Sequence, residues 1–316
     1  MAFDLSNFAN QPRYKSGMGI ASDMGVTIPT GDVVAYVRSG GVVDGMHEDV
    51  RTLLVTTLNA GLARCRTGQG DIVVVLPGHA ENVSSADQMS NLVAGTRILG
   101  MGEGSNRPKL TWTVAAATFL LDVADVTIDN FVLQMAASGN AGVTVAAPIT
   151  VSAATCAITN CRINFGDDAN DIVTIGITTT AAANGFTFAN NECIAATAGA
   201  TGTTFLQIVG GDALKVVGNY ISGASSAVGV GLVRVLTTAT TNIQILDNVI
   251  RNNLASSEEA LTLLAACTGF MNGNNLHVLD NASTALDEDG SIIYGNDNYL
   301  ANTVSERGVQ LGTVSA

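Results

Sequence analysis

An internal repeat of about 28 residues limits what this 316-residue chain can fold into. An apolar residue, two positions, usually Asn, one position and a second apolar residue recur along the chain. The units are Ile158-x-x-Cys161-x-Ile163, Phe188-x-x-Asn191-x-Cys193, Val216-x-x-Asn219-x-Ile221, Ile245-x-x-Asn248-x-Ile250 and Met271-x-x-Asn274-x-Leu276. Ile128-x-x-Phe131-x-Leu133 fits one unit earlier, with Phe at the Asn place. The fourth residues fall at 131, 161, 191, 219, 248 and 274, so the steps are 30, 30, 28, 29 and 26. Between them run short β-branched segments: 143–151, 172–177, 205–209, 232–236, 261–264 and 291–294. Each unit therefore holds at least two strands joined by Gly/Asn/Ala/Thr turns, with no amphipathic helical stretch, which excludes leucine-rich and helical repeats.

A unit of two or three strands cannot bury its apolar face alone. Stacked about 4.8 Å apart, near-equal coils bury a continuous cylinder and pair each backbone group with the coil above or below. The expected fold is all-β, a parallel β-helix solenoid. The recurring Asn191, Asn219, Asn248 and Asn274 have a structural role in it: Asn tolerates left-handed geometry at a tight turn, and a column of Asn amides can hydrogen-bond from coil to coil.

Composition agrees. Charged residues are 13% of the chain and apolar residues 47%, with a mean hydropathy of +0.33, which excludes a disordered chain. Aromatics are only 5% while Gly numbers 34, which suits tightly stacked small side chains. Residues 1–109 carry 9 Lys/Arg and 10 Asp/Glu, a net of -1, whereas residues 110–316 carry 5 and 17, a net of -12. Such a surface should repel nucleic acid and anionic lipid, so neither nucleic acid nor a membrane is an expected partner. Five cysteines without a C-x-x-C pair read as buried reduced thiols, with no metal site and no cofactor expected.

Cylinder ends expose unpaired strands and need covering. Val50, Leu53, Leu54, Leu58 and Leu62 fall at helical spacing, which predicts a capping α-helix over about 48–65 within a capping segment 35–70. The uniformly apolar Ile72-Val-Val-Val-Leu76, ending at Pro77-Gly78, predicts the start of the coils, which then run over 71–302 with a C-terminal tail at 303–316. Residues 1–34 lack the periodicity, and with Phe3, Phe8 and Tyr14 they read as an extended N-terminal arm that docks on a neighbour. The first residues show no basic stretch followed by an apolar one, so synthesis in a cytoplasm is expected.

The run Gly70-Asp-Ile-Val-Val-Val-Leu-Pro-Gly-His-Ala-Glu-Asn-Val83 resembles the opening coil of the pectate-lyase-like right-handed β-helix superfamily. Thr96-Arg-Ile-Leu-Gly-Met-Gly-Glu-Gly104 is similar to the coil that follows it there. The resemblance implies a right-handed winding but no activity, because that superfamily spans polysaccharide lyases, polygalacturonases, pectin esterases, phage tailspikes and non-enzymatic virion proteins.

Candidate sites are sparse. Hydrolysis of a polyuronide needs grouped carboxylates, and Asn164-Phe-Gly-Asp167-Asp168-Ala-Asn-Asp171 is the one acidic cluster that shares an element of such a motif; a solvated turn accounts for it better, since Asp and Asn are what such turns contain. Lyase chemistry would need a basic residue on a groove, for which Arg162 and Arg251 could share a flank. Asp287-Glu-Asp289-Gly290 lacks the remaining ligands of a calcium loop and reads as a loop. His47 and His79 read as surface positions. Aromatic platforms for sugars are scarce beyond residue 123, with only Tyr220, Tyr294 and Tyr299 as tyrosines.

The expectation that follows is a non-enzymatic structural protein, similar to the β-helical head proteins of tailed phages that decorate or cement a capsid. The major capsid protein and further copies of the chain, as a homotrimer, would be its partners, and the virion surface its location. Capsid contacts are expected from the arm (Phe3, Phe8, Arg13, Tyr14, Lys15) and from Arg38, Arg64 and Arg66. The alternatives are a tailspike that binds or degrades a polysaccharide, or a secreted polysaccharide lyase or hydrolase, with Asp167, Asp168, Asp171 and Arg162 as the candidate catalytic set.

Overall fold

The computed structural model describes residues 32–135, 144–165, 172–195, 204–224, 231–236, 239–253, 259–264, 267–279, 285–288, 291–295, 297–301 and 307–310. They form a parallel β-solenoid whose coils contribute one strand each to three sheets, visited in the order A, B, C. Sheet A has 12 strands, sheet B 10 and sheet C 7. One coil is Ala157–Thr159 in sheet A, Arg162–Asn164 in sheet B and Ile175–Thr179 in sheet C.

Parallel pairing sets like residues over one another, with register shifts in sheet A only between Val33 and Ala35 and between Thr240 and Ile243 among the described residues. In sheet A the inward column runs Val73, Ile98, Ile128, Ile158, Phe188, Val216, Ile245, Met271. In sheet B it runs Leu110, Leu133, Ile163, Cys193, Ile221, Ile250, Leu276. In sheet C it runs Phe119, Ile149, Ile177, Leu206, Val233, Leu261, Leu286. These residues belong to one contiguous core cluster. Its widest side chains need local room: Phe165 and Phe205 meet edge-on with centroids 3.9 Å apart, and a Cβ on Gly176 would lie 1.8 Å from Phe165 Cε1.

The corner between sheets A and B carries the repeat's Asn. Asn191, Asn219, Asn248, Asn274 and Asn298 are all buried. Asn219 is representative. Its Oδ1 accepts the Asn191 amide N–H at 2.9 Å and the Asn191 Nδ2 at 3.1 Å, while its Nδ2 donates to Phe188 O at 2.9 Å and to Asn248 Oδ1 at 2.9 Å. The same pattern repeats at each step to Asn298. The left-handed residue at this corner is the one before the ladder position, not the ladder Asn itself: Asn130, Asn160, Asn190, Gly218, Asp247 and Gly273 have φ from 54° to 69°. One residue bends the chain, and the next staples the bend to its neighbours.

Several expectations are corrected. The single helix over 48–65 is two short ones, α1 (Glu48–Leu53) and α2 (Leu58–Leu62), separated by the two-residue strand Leu54–Val55. His47 Nδ1 accepts from the Asp49 N–H and Thr57 Oγ1 from the Ala60 N–H, so each helix has its own N-cap. Pairing starts before residue 71, because Val33–Val37 lies in sheet A between Leu54–Val55 and Ile72–Val75. Ser291–Tyr294 does not continue the second strand series; it belongs to sheet A, and the sheet C position is taken by Leu286–Glu288, so Asp287 lies on a strand and not in a loop. The tail holds a strand as well, Arg307–Gln310, antiparallel to Asn298–Ala301.

Replacing Asn219 by Ala removes the acceptor for two buried donors and one donor to the Phe188 carbonyl, so a loss of about 2–4 kcal/mol in urea unfolding is expected. Asn164→Ala, on an outward position where Nδ2 meets only Gln134 Oε1, should stay within about 0.5 kcal/mol.

Candidate functional site

Sequence reasoning placed contacts at the first coils, and there the polar side chains are tied to one another. Arg66 donates from Nε to Asp71 Oδ2 at 2.9 Å and from one terminal nitrogen to Asp71 Oδ1 at 2.6 Å and to Asp32 Oδ2 at 3.0 Å. The guanidinium fork holds the buried Asp71 carboxyl below its usual range, and the Arg66 amide N–H adds to the effect. Arg64 donates to Leu53 O at 2.7 Å and Arg38 to Gly41 O at 3.0 Å. These cations fasten the helices and turns around the first strand.

His79 is not at the surface as expected; it is 1% exposed. Its Nδ1 accepts the Ser39 N–H at 2.9 Å, which leaves Nε2 to carry the proton toward Glu81 Oε2 at 3.1 Å. Glu81 stands in the inward register with Leu110 and also accepts the first amide of α2, from Leu58 N at 2.7 Å. The spacing His79-x-Glu81 directly after Pro77-Gly78 was the available signal: alternation puts both on the core face of a strand. They are polar because this column ends on a helix terminus and not on another coil.

On the outward faces, polar side chains of successive coils join. Asp129 Oδ1 accepts from Thr159 Oγ1 and Asn160 Nδ2, each at 2.6 Å, and Asp212 Oδ1 accepts from Thr241 Oγ1 at 2.6 Å and Asn242 Nδ2 at 2.8 Å. Asn253 Nδ2 donates to Ser222 Oγ at 2.9 Å. Arg162 and Arg251 both face outward on sheet B but sit in different columns and do not converge. Arg162 lies 3.7 Å from Glu192. Arg251 is in register with His277, whose pKa is pulled down by burial and by that arginine. Tyr220 and Tyr299 share the neighbouring column, three coils or about 14 Å apart. Near the last coils Phe270 and Ile293, adjacent on the outer face of sheet A, are 39% and 69% exposed. Glu259 is pushed up by burial and by Asp287 nearby.

Phe3, Phe8, Arg13, Tyr14, Lys15, Asp167, Asp168 and Asp171 lie outside the described residues. Among the described residues there is no group of three metal-ligating side chains, and no helix is long and apolar enough to cross a membrane. The five cysteines are free, four of them buried, and burial raises the Cys161 thiol to about 12. The fold defines a parallel β-solenoid stapled by an Asn ladder. No protein-family model, curated protein or solved structure matches the chain.

Asp71 titrates lower when folded than when unfolded, so its pairing contributes stability above the unfolded value near ~3.9 and loses it as pH falls through the folded value. Asp71→Asn should be less stable than the parent at pH 7, and the gap should narrow as urea midpoints are followed below about pH 4.

Proposed function

We propose that this chain is a non-enzymatic structural protein of a tailed-phage virion, decorating or cementing the capsid surface. In this reading the N-terminal arm and the first coils meet the major capsid protein, and copies of the chain associate, with a homotrimer as the expected assembly. The winding is taken as right-handed and pectate-lyase-like, the sense that parallel strand crossovers overwhelmingly follow. Helices α1 and α2 act as the cap: Leu58 and Leu62 of α2 pack into the core beside Val37 and Val73, while Val50 and Leu53 of α1 cover Tyr36, Ile72 and Val74 on the opposite face of the sheet.

The observation that carries the reading is how outward polar side chains are used. Asp129, Asp212, Thr159, Thr241, Asn160 and Asn242 bind the neighbouring coil, which stiffens a rod and leaves its flank smooth. Rigid scaffolds with side chains engaged in this way suit contact.

One observation favours the tailspike reading: Tyr220 and Tyr299 align on the outer face of sheet B with Arg251 and His277 in the adjacent column, an arrangement that can stack and hydrogen-bond a sugar chain.

Deleting residues 1–31, which keeps the strand Val33–Val37 whole, should leave a folded solenoid by circular dichroism that no longer co-sediments with capsids assembled from the major capsid protein. Undiminished co-sedimentation would refute the docking role of the arm. Shortening of bacterial capsule, pectin or alginate on incubation with the full chain would instead support an enzyme.

A further inference from the structure

Two walls of the rod, the outer faces of sheets A and B, meet at the ladder corner, and near the last coils both carry exposed apolar side chains. Among the described residues eight large apolar side chains are exposed, and four of them, Tyr220, Phe270, Ile293 and Tyr299, stand on these walls. Phe270 and Ile293 continue the outward column of Lys215 in sheet A, and Tyr220 and Tyr299 share one outward column in sheet B. Scattered singly, such side chains call for no account. Gathered on two adjoining walls and rich in aromatic rings, they have the composition of a protein contact.

The two walls also match in height. A coil passes through sheet A, the corner and sheet B in turn, so Ile293 is level with Tyr299, and Lys215, three coils earlier, is level with Tyr220. Against a second copy lying alongside and parallel, wall A therefore sets Ile293 beside the Tyr299 ring and the Lys215 ammonium beside the Tyr220 face, an apolar contact and a cation–π contact. Charge fits as well. Arg251 on wall B and Asp247, where wall A ends at the corner, are exposed and belong to one coil. Neither has an ion-pair partner among the described residues. Side by side, Arg251 of one copy meets Asp247 of the next without a change of level. A glycan would account for the tyrosines and Arg251, but not for Phe270 and Ile293 on the other wall.

We propose, on the footing of the homotrimer reading, that wall A of each copy packs against wall B of the next, with three rods parallel and their ladder corners turned to the shared axis. The interface is heterologous, and only a rotation axis along the rod keeps equal heights opposite one another; three such steps close the ring. A seated neighbour covers Tyr220 and Tyr299, so these rings serve the assembly and not a sugar.

The test joins Ile293→Cys and Tyr299→Cys in the full chain, with each single variant and the parent as controls. Both positions are exposed, so the fold should stand. Mild oxidation should tie position 293 of each copy to position 299 of the next, giving covalent dimers and trimers on a denaturing gel. The parent, whose five cysteines are free and four of them buried, and the single variants should give neither. Sedimentation of the unoxidised parent tells two failures apart. A parent that sediments as a trimer while the pair stays unlinked overturns the wall assignment alone; a parent that sediments as a monomer overturns it together with the homotrimer reading. A dimer linked through Ile293→Cys alone also overturns it, since like then meets like across a two-fold axis. Lys215→Glu and Arg251→Glu give an independent measure: each should raise the dissociation constant of the trimer by about tenfold, whereas Gln207→Glu, on the outer face of sheet C, should leave it unchanged. Equal dissociation constants for all three refute the interface.

Discussion

In a solenoid of this kind each backbone group of a coil finds its partner only in the coil before or after, and the corners are where that supply fails. At the corner between sheets A and B the chain leaves strand geometry while still buried, so unmatched amides would be costly there. The Asn ladder meets this need. Each Oδ1 takes the amide N–H of the preceding rung, and each Nδ2 returns a bond to a preceding carbonyl, from Cys161 N to Asn298. With the corner fixed, the register of both flanking sheets follows, and with it the inward columns of Ile, Val, Leu and Phe.

The ends obey different rules from the middle, because the neighbouring coil is missing. At the start, the inward column passes from Leu110 to Glu81, which meets a helix amide and His79. The outer face of sheet A is apolar there and is covered by α1, with Arg66, Asp71 and Asp32 clamping the segment around the first strand. At the other end an antiparallel return covers sheet B. Exposed apolar side chains lie at both ends, Val42 and Val43 at the start and Phe270 and Ile293 near the last coils.

A molecule built in this way commits its polar side chains to its own stiffness. The outward Asp, Thr and Asn residues that could have converged on a substrate are spaced one per coil along the rod axis and hydrogen-bonded to one another, and the two arginines of sheet B lie in separate columns. This is the physical basis for reading the rod as a contact-making scaffold, with the aligned tyrosines and Arg251 of sheet B as the feature that points toward a glycan instead.

The repeat by itself determined the solenoid: a marker every 26–30 residues, flanked by apolar positions two and three residues away, leaves stacking as the one way to bury each unit, and the buried thiols of Cys161 and Cys193 follow from the same pattern. The ladder was legible as far as Asn274; Asn298 escaped because its step shortens to 24 and Ser291–Tyr294 resembles the other strand series. Only the tertiary structure decided that the left-handed residue and the ladder Asn are neighbours and not the same position, since Asn stands at the left-handed place in residues 130, 160 and 190 and at the ladder place in residues 191, 219, 248 and 274, and local propensity cannot separate the two. It also decided that one amphipathic stretch becomes two helices, because Leu54–Val55 gains more as an edge strand beside Tyr36 and Val37 than as a helical turn. His79 and Glu81 became buried partners for a related reason: what covers the end of a column is set by distant chain, the Ser39 turn and the first amide of α2, which no local pattern contains.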